Sequence, residues 1–353
     1  MTLTSITTRE GLHEYLHAAI QLEHATIPPY LTALYSLKPG SNSPAFHVIR
    51  VVVVEEMLHL TLAANILNAI GGDPDLTRSG FVPRYPVYLP DGETDFMVSL
   101  EPFSQTAIDS FLLIERPAQS PSEEERVVRR SRAGTTIPAV NPEGDDGLHF
   151  YSIGEFYAEI GRGLQYLHDQ GEDLFIGDPS RQVTPDLYYS GGGDVIPVKD
   201  LESAYAAIRL ISEQGEGLAG GIYDEEAELS HYYRFQQLKL GRYYQPGDLP
   251  DAPTGPALDV EWDAVYPTLR NAAGSDYPAD SELRAASDQF NADYASFLGE
   301  LTEAFNGRPD LLIPAVGGMF TLRDQMTRIA RNPVPGRPGV NAAATFEMPE
   351  VAS

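Results

Sequence analysis

The sequence predicts a mainly α-helical protein whose long helices pack around a buried centre. Apolar residues between positions 8 and 38 recur at steps of three and four, which is typical of one face of a helix. Residues 44–70 then run for about two dozen positions without a breaker, which is too long for a strand. Helical patterns return at 153–167 and 200–214, and near the end of the chain at 281–305 and 309–331.

The first predicted helix, residues 8–38, carries a carboxylate on its apolar stripe. Glu23 stands among Leu16, Ile20 and Ile27, and Pro28 and Pro29 follow it. A proline has no N–H to donate to the carbonyl four residues earlier, so we expect a bend close to Glu23 that widens the bundle there. The alternative is that the two prolines end one helix and begin another.

The second predicted helix, residues 44–70, is apolar almost all round, which indicates a helix at the centre of the protein. Glu56 and His59 lie three positions apart in it and therefore share one face. An unpaired buried carboxylate costs several kcal/mol, so a metal ion or a buried hydrogen-bond network is expected around Glu56. Glu55, four positions before His59, is the competing ligand.

A second Glu-x-x-His step, Glu228 to His231, lies in the stretch AELSHYYRFQQLKL, which is predicted to be helical. Two such steps, together with one glutamate from each of two further helices, form the ligand set of a carboxylate-bridged dimetal site in a four-helix bundle. Glu23, on the first predicted helix, is the candidate for one of these two further glutamates. Carboxylate and imidazole ligands together suit iron or manganese.

The sequence pattern leaves two of the ligand positions open. Glu155 is the candidate on the helix at 153–167, although it faces nearly away from that helix's main apolar stripe and is either buried on a second side or exposed. Glu213 and Glu216, in the stretch SEQGEG, compete with Glu228 as the carboxylate of the last bundle helix.

Composition limits the classes of function. The chain has 353 residues, a formal net charge of −27 and no cysteine. The acidic surface argues against nucleic acid and anionic membranes as partners, and the missing thiols exclude disulfides and Cys-ligated clusters. We find neither a secretory signal nor a membrane-spanning run, so a cytoplasmic protein is expected. Residues 72–150, rich in proline and with strand-like pieces such as DFMVSL, are predicted to be an irregular excursion beside the helices.

Several stretches together resemble a known family. LEHATIPPYLTALYS, EEMLHLTLAANILNAIGG, IGEFYAEI, VKDLESAYAAIRLISEQGEG and SHYYRFQQL are similar to the ferritin-like domain of iminophenyl-pyruvate dimer synthases, the enzymes of violacein biosynthesis. The resemblance covers residues 9–240, and the stretch after 240 is similar to the extension that accompanies that domain. We therefore expect a ferritin-like domain at 1–240, with the excursion inserted at 72–150, and a helical extension at 241–353.

The resemblance implies a dimetal centre with two iron ions per chain, or manganese in their place. The residues that match its metal positions are Glu23, Glu56, His59, Glu155 and His231, and Glu216 matches as well as Glu228. From the resemblance, this chain is expected to correspond only to the ferritin-like part of the longer violacein enzyme. The resemblance therefore predicts the metal site of this chain but not its substrate.

The first functional hypothesis is a non-haem di-iron oxidase or oxygenase, with Glu23, Glu56, His59, Glu155 and His231 as its catalytic residues. Dioxygen would be activated to oxidise an amino-acid-derived small molecule in specialised metabolism. The second is a metal-dependent catalase or peroxidase-like protein, or an iron-handling protein. The third is a non-catalytic helical interaction module. A homodimer is compatible with a bundle of this size.

Overall fold

The structure is a computed structural model that describes residues 4–92, 94–117, 150, 152–189, 191–218 and 221–349. These residues contain eight α-helices: α1 (Arg9–Ser36), α2 (Ser43–Ala69), α3 (Gln105–Ile114), α4 (Ile153–Asp169), α5 (Leu201–Glu216), α6 (His231–Leu240), α7 (Glu282–Phe305) and α8 (Leu312–Ala330). In the described part, β pairing is limited to isolated bridges. The predicted fold class, a mainly helical bundle with two extra C-terminal helices, is confirmed.

Four helices form the bundle. α1 packs along α2, α4 packs along α5, and the two pairs meet through contacts of α1 with α4 and of α2 with α5. Local sequence begins these helices: the side chains of Thr8, Ser152 and Asp200 accept hydrogen bonds from the first-turn amides of α1, α4 and α5. Each helix therefore starts at a residue that satisfies amides left without an intrahelical partner.

The central position predicted for α2 is the one observed. α4 and α5 cover one side of the α1–α2 pair. The C-terminal helices cover another side, with α8 against α1 and α7 against α2. A helix enclosed in this way needs apolar residues on nearly all sides, which is the pattern of residues 44–70. None of the described helices is both long enough and apolar enough to cross a bilayer.

The two prolines of α1 do not end it, because Arg9–Ser36 is one continuous helix with Pro28 and Pro29 inside. The alternative of two separate helices is therefore wrong. Pro29 leaves the carbonyl of Ala25 without its helical donor. The hydroxyl of Tyr85, from the excursion, donates to that carbonyl at 2.8 Å. A side chain from outside the helix thus replaces the hydrogen bond that the proline removes.

The described part of the excursion holds one helix, α3, and an isolated bridge between Val87 and Val98. The stretch DFMVSL therefore does not form a strand of its own. α3 packs on α6 and also contacts α1, while α6 contacts α2 and α5. This pair of short helices brings the residue that follows α3, Glu115, and the first residue of α6, His231, against the bundle.

The helix predicted to contain Glu228 begins only at His231. The carboxylate of Asp224 accepts the amide N–H groups of Glu226 and Glu228, and Ala227 has a positive φ of 62°. This turn stops the helix from extending backwards, so Glu228 and His231 do not share a helix face. The division of the chain at residue 240 remains a prediction.

Candidate metal centre

A cluster of carboxylates and imidazoles lies where α3 and α6 meet the bundle. Its members are Glu23 from α1, Glu56 and His59 from α2, Glu115 after α3, and His231 at the start of α6. Each of the five is at most 2% exposed. Charged side chains are almost never buried this deeply unless they are paired or bind an ion.

His59 presents one ring nitrogen to the cluster. Its Nδ1 lies 3.6 Å from Oε2 of Glu23 and 3.8 Å from Oε1 of Glu56. Its Nε2 lies on the other side, 2.9 Å from Oε1 of Gln214 in α5. Since an amide oxygen only accepts, Nε2 donates, and the lone pair of the neutral ring is left on Nδ1.

His231 has the same arrangement. Its Nδ1 lies 2.9 Å from Oε1 of Glu56 and 3.4 Å from Oε2 of Glu115. Its Nε2 lies 2.9 Å from Oε2 of Glu55, which therefore anchors His231 and does not serve His59. The two imidazole rings stack with their centroids 5.3 Å apart, and Oε1 of Glu56 is near both of them.

Each of the three carboxylates is held from outside by a hydroxyl group. The donors and acceptors are Tyr157 to Oε1 of Glu23 at 2.5 Å, Thr26 to Oε2 of Glu56 at 2.8 Å, and Tyr30 to Oε1 of Glu115 at 2.5 Å. In every case the second oxygen is the one that approaches a histidine Nδ1. Five ligand-type atoms therefore face one another, and an outer partner fixes each of their side chains.

These donors fit a metal ion. The five-residue cluster combines three carboxylates with two imidazoles, a mixture that suits iron or manganese. Oε2 of Glu23 and Nδ1 of His231 are fully buried and have no hydrogen-bond partner among the described residues. Ligand atoms of Glu56, His59 and His231 all lie within 4.8 Å of one another. An ion among them would satisfy both orphaned atoms and neutralise carboxylates that otherwise repel each other.

The electrostatics of the cluster reflect this crowding. Burial, with the neighbouring charges of Glu115 and Glu23, raises the pKa of Glu56 to about 7. Burial lowers the pKa of His59, but the nearby carboxylates of Glu23 and Glu56 outweigh it, so the pKa is raised. Burial also opposes protonation of His231, yet Glu115, Glu55 and Glu56 raise its pKa well above the usual value. In the metal-free protein, protons therefore occupy the positions that a cation would take.

The family follows from the comparison with known proteins. Residues 16–240 match the family model described as Ferritin-like. This chain belongs to the ferritin-like family. The matched range contains all five residues of the cluster, the helices α2 to α6 and α1 from residue 16 onward.

The ferritin-like chain is also similar to dichlorochromopyrrolate synthase of Lentzea aerocolonigenes, with 30% identity over 326 residues. The match covers 85% of this chain but only 29% of the relative, so this chain spans less than a third of that enzyme. The resemblance predicted from the sequence is confirmed at the level of the family. A solved structure, a ferritin-like protein from Caulobacter vibrioides, has a TM-score of 0.59 at 23% identity. It covers 92% of this chain and 96% of its own, which shows the shared fold.

The other predicted ligands of this ferritin-like protein lie in different surroundings. Glu228 is exposed and pairs with Arg234 at 2.7 Å. Glu216 is buried at the end of α5, and its Oε1 accepts the amide N–H of Gly154 at 2.7 Å, in the first turn of α4. Helix N-termini favour anions, so this contact helps to explain why the carboxylate of Glu216 is buried there. Glu155 is half-buried in the same turn.

Sequence reasoning missed Glu115. It follows Phe111 by four positions and Ile108 by seven, and both of these are buried. Glu115 therefore continues the apolar stripe of α3, which is the test that singled out Glu23. Tyr30 and Tyr157 anchor carboxylates of the cluster, whereas Tyr232, next to His231, packs against Tyr233.

Proposed function

We propose that this chain is a dimetal, iron-dependent oxidoreductase that uses dioxygen to oxidise an amino-acid-derived small molecule. The observation that supports it best is the set of five inward-facing ligand atoms, each on a side chain anchored from outside. Hydrogen bonds from such outer partners orient metal ligands in proteins. The three carboxylates would also offset most of the charge of two divalent ions that lie close together.

The proposed ligands divide into two groups around Glu56. His59 and Glu23 would hold one ion, and His231 and Glu115 the other, with Glu56 shared because its Oε1 lies near both Nδ1 atoms. Iron(II) held there would supply electrons for the reduction of dioxygen, and manganese is the alternative metal.

The chain's own residues would keep this centre ordered and dry. Burial raises the pKa values of Tyr30 and Tyr157 well above the usual value, so both phenols stay protonated and donate to Glu115 and Glu23. The hydroxyl of Thr26 likewise donates a hydrogen bond to Glu56. The absence of cysteine removes thiols that an oxidising site would damage.

The proposal of an organic substrate is supported by a cleft of about 600 Å³, which is large enough for a small molecule. Glu55 and Gln214, the outer partners of the two histidines, line it together with Arg50, Arg234 and the loop 191–193. A molecule in the cleft would therefore touch the side chains that orient both histidines. The similarity to a synthase is in line with this reading, although the relative's complete reaction involves a much longer chain.

Metal analysis of variants tests the proposal. The protein is reconstituted with iron(II) without oxygen, and its iron content is measured by mass spectrometry. We expect two irons per chain in the wild type, almost none in Glu56→Ala, and two in Glu228→Ala, whose carboxylate is exposed. Iron near zero in the wild type, or two irons in Glu56→Ala, would contradict the dimetal centre.

Oxygen consumption tests the reaction. The iron-loaded protein is assayed in an oxygen electrode with a panel of amino-acid-derived small molecules, with Glu56→Ala as the control. Uptake that depends on a panel member supports the oxidoreductase. Turnover of hydrogen peroxide with no substrate-dependent oxygen uptake would instead favour a catalase-like protein, and full iron loading without either reaction would favour iron handling.

A further inference from the structure

The glycine run Gly191–Gly193, part of the stretch YYSGGGDVIP, lies against both outer partners of the histidines. Gly192 has a φ of +78°, and a Cβ atom built on it would lie 2.9 Å from Cα of Glu55 and 3.1 Å from its Cγ. A Cβ on Gly193 would lie 3.4 Å from Nε2 of Gln214. Only glycine fits at position 192, because both its conformation and its contact with the backbone of α2 exclude a side chain.

Gly192 also determines which way the amide of Gln214 points. The carbonyl oxygen of Gly192 accepts a hydrogen bond from Nε2 of Gln214 at 2.8 Å. A peptide oxygen cannot donate, so the amide nitrogen must face it and Oε1 must face His59. Oε1 then accepts from Nε2 of His59 at 2.9 Å, and the ring lone pair on Nδ1 points at Glu23 and Glu56.

The same glycine lies beside the anchor of His231. Glu55 accepts from Nε2 of His231 at 2.9 Å and also contacts Arg234 at 3.4 Å. Its backbone and Cγ are the atoms closest to the missing Cβ of Gly192. A side chain at position 192 would therefore displace Glu55 and, through it, His231.

We propose that Gly192 is a positioning residue for both histidines of the cluster, acting on His59 through Gln214 and on His231 through Glu55. The proposal rests on the dimetal centre proposed above, since it assigns Gly192 a role in aiming the two Nδ1 atoms at the ions. It predicts that one substitution outside the ligand set disturbs both halves of the centre.

Cobalt(II) binding to the full chain tests the role of Gly192. Gly192→Ala is compared with Gly171→Ala, a matched control whose φ is +81° but whose Cβ would meet nothing within 4 Å. We expect the control to bind two cobalt ions with wild-type affinity, and Gly192→Ala to bind both about 10- to 100-fold more weakly. Affinities in Gly192→Ala within about twofold of the control at both sites would overturn the proposal.

A second variant covers the case in which Gly192→Ala does not fold, as judged by circular dichroism. Gln214→Leu removes only the route to His59, so we expect weaker binding of one cobalt ion and an unchanged affinity for the other. Gln214→Leu with wild-type affinity at both sites would overturn the relay through Gln214.

A metal-free measurement separates this proposal from the proposed function. The ¹⁵N shifts of His59, recorded at a pH where the ring is neutral, report which nitrogen carries the proton. We expect the Nε2–H form in the wild type and Gly171→Ala, and a mixture in Gln214→Leu and Gly192→Ala. If the wild type binds no cobalt, the dimetal function fails, yet these shifts still test the relay, and an unchanged tautomer in both variants would overturn it.

Discussion

Nε2 of His231 lies 2.9 Å from Oε2 of Glu55, on the opposite side of the ring from the Nδ1 atom that faces Glu56 and Glu115 of the cluster. The pKa of Glu55 is lowered: burial raises it, but the hydrogen bond and charge of His231 outweigh that effect. Glu55 is therefore ionised and accepts. This contact fixes Nδ1 of His231 as the atom directed at Glu56 and Glu115.

Replacing Glu55 by glutamine should weaken the metal site without removing a ligand. Glu55→Gln keeps the shape of the side chain and an acceptor oxygen but loses the charge that strengthens its hydrogen bond to His231, so we expect metal affinity to fall about tenfold or more. Cobalt(II) titration measures the change. The control is Glu228→Gln, which removes the other carboxylate partner of Arg234 at an exposed position. Equal affinities of the two variants would contradict the role of Glu55.

Glu115 should be needed for one ion of the pair, whereas Glu216 should not be needed for either. Glu115→Gln removes a carboxylate whose Oε2 lies 3.4 Å from Nδ1 of His231, so we expect the iron content to fall from two ions per chain to one. Glu216→Gln keeps an acceptor for the amide of Gly154 and should keep two ions. The iron content of both variants, measured after reconstitution, tests this expectation. Two ions in Glu115→Gln and one ion in Glu216→Gln would make Glu216 the ligand.

Metal affinity should fall as the pH is lowered from 8 to 6. Glu56, with a pKa of about 7, and the two histidines, with raised pKa values, bind protons that an ion must displace. Each displaced proton lowers the affinity by up to about tenfold per pH unit. Competition with a chelator of known protonation measures this, and an affinity that does not change with pH would contradict it.

The metal-free protein should lose stability as the pH rises from 5 to 8. Glu56, His59 and His231 bind protons more tightly in the folded chain, so the stability they contribute is present at low pH and is lost as they deprotonate. A shift from 4.5 to about 7 makes the share of Glu56 on the order of 3 kcal/mol. Urea unfolding across this pH range should show the loss, with a shallower slope in Glu56→Gln.

Tyr85 should stabilise α1 where its prolines interrupt the hydrogen-bond ladder. Tyr85→Phe leaves the buried carbonyl of Ala25 without a donor, so we expect a loss of about 1–3 kcal/mol in the free energy of unfolding. Tyr88→Phe is the control from the same segment, since the described residues give its hydroxyl no hydrogen-bond partner. Urea denaturation of both variants measures the difference, and similar losses would contradict the role of Tyr85.

Much of the fold and part of the candidate site could be predicted because helical periodicity is a local signal. Glu23, Glu56 and His59 stand out as polar residues on apolar helix stripes, and the structure buries all three together. Glu115 could not be recognised as easily, because α3 is short and lies in a proline-rich excursion. Glu228 was misplaced because spacing alone does not reveal the turn at Asp224 and Ala227.

Local patterns in the amino-acid sequence are enough to predict the helices, the buried centre and the polar residues that a helical core cannot hold without partners. Which of those residues meet depends on long-range packing, because contacts between α3, α6 and the bundle join segments far apart in the chain. The same packing sets the direction of each ligand. The orientation of His59 depends on Gln214 and that of His231 on Glu55, contacts across 155 and 176 residues that no local pattern contains.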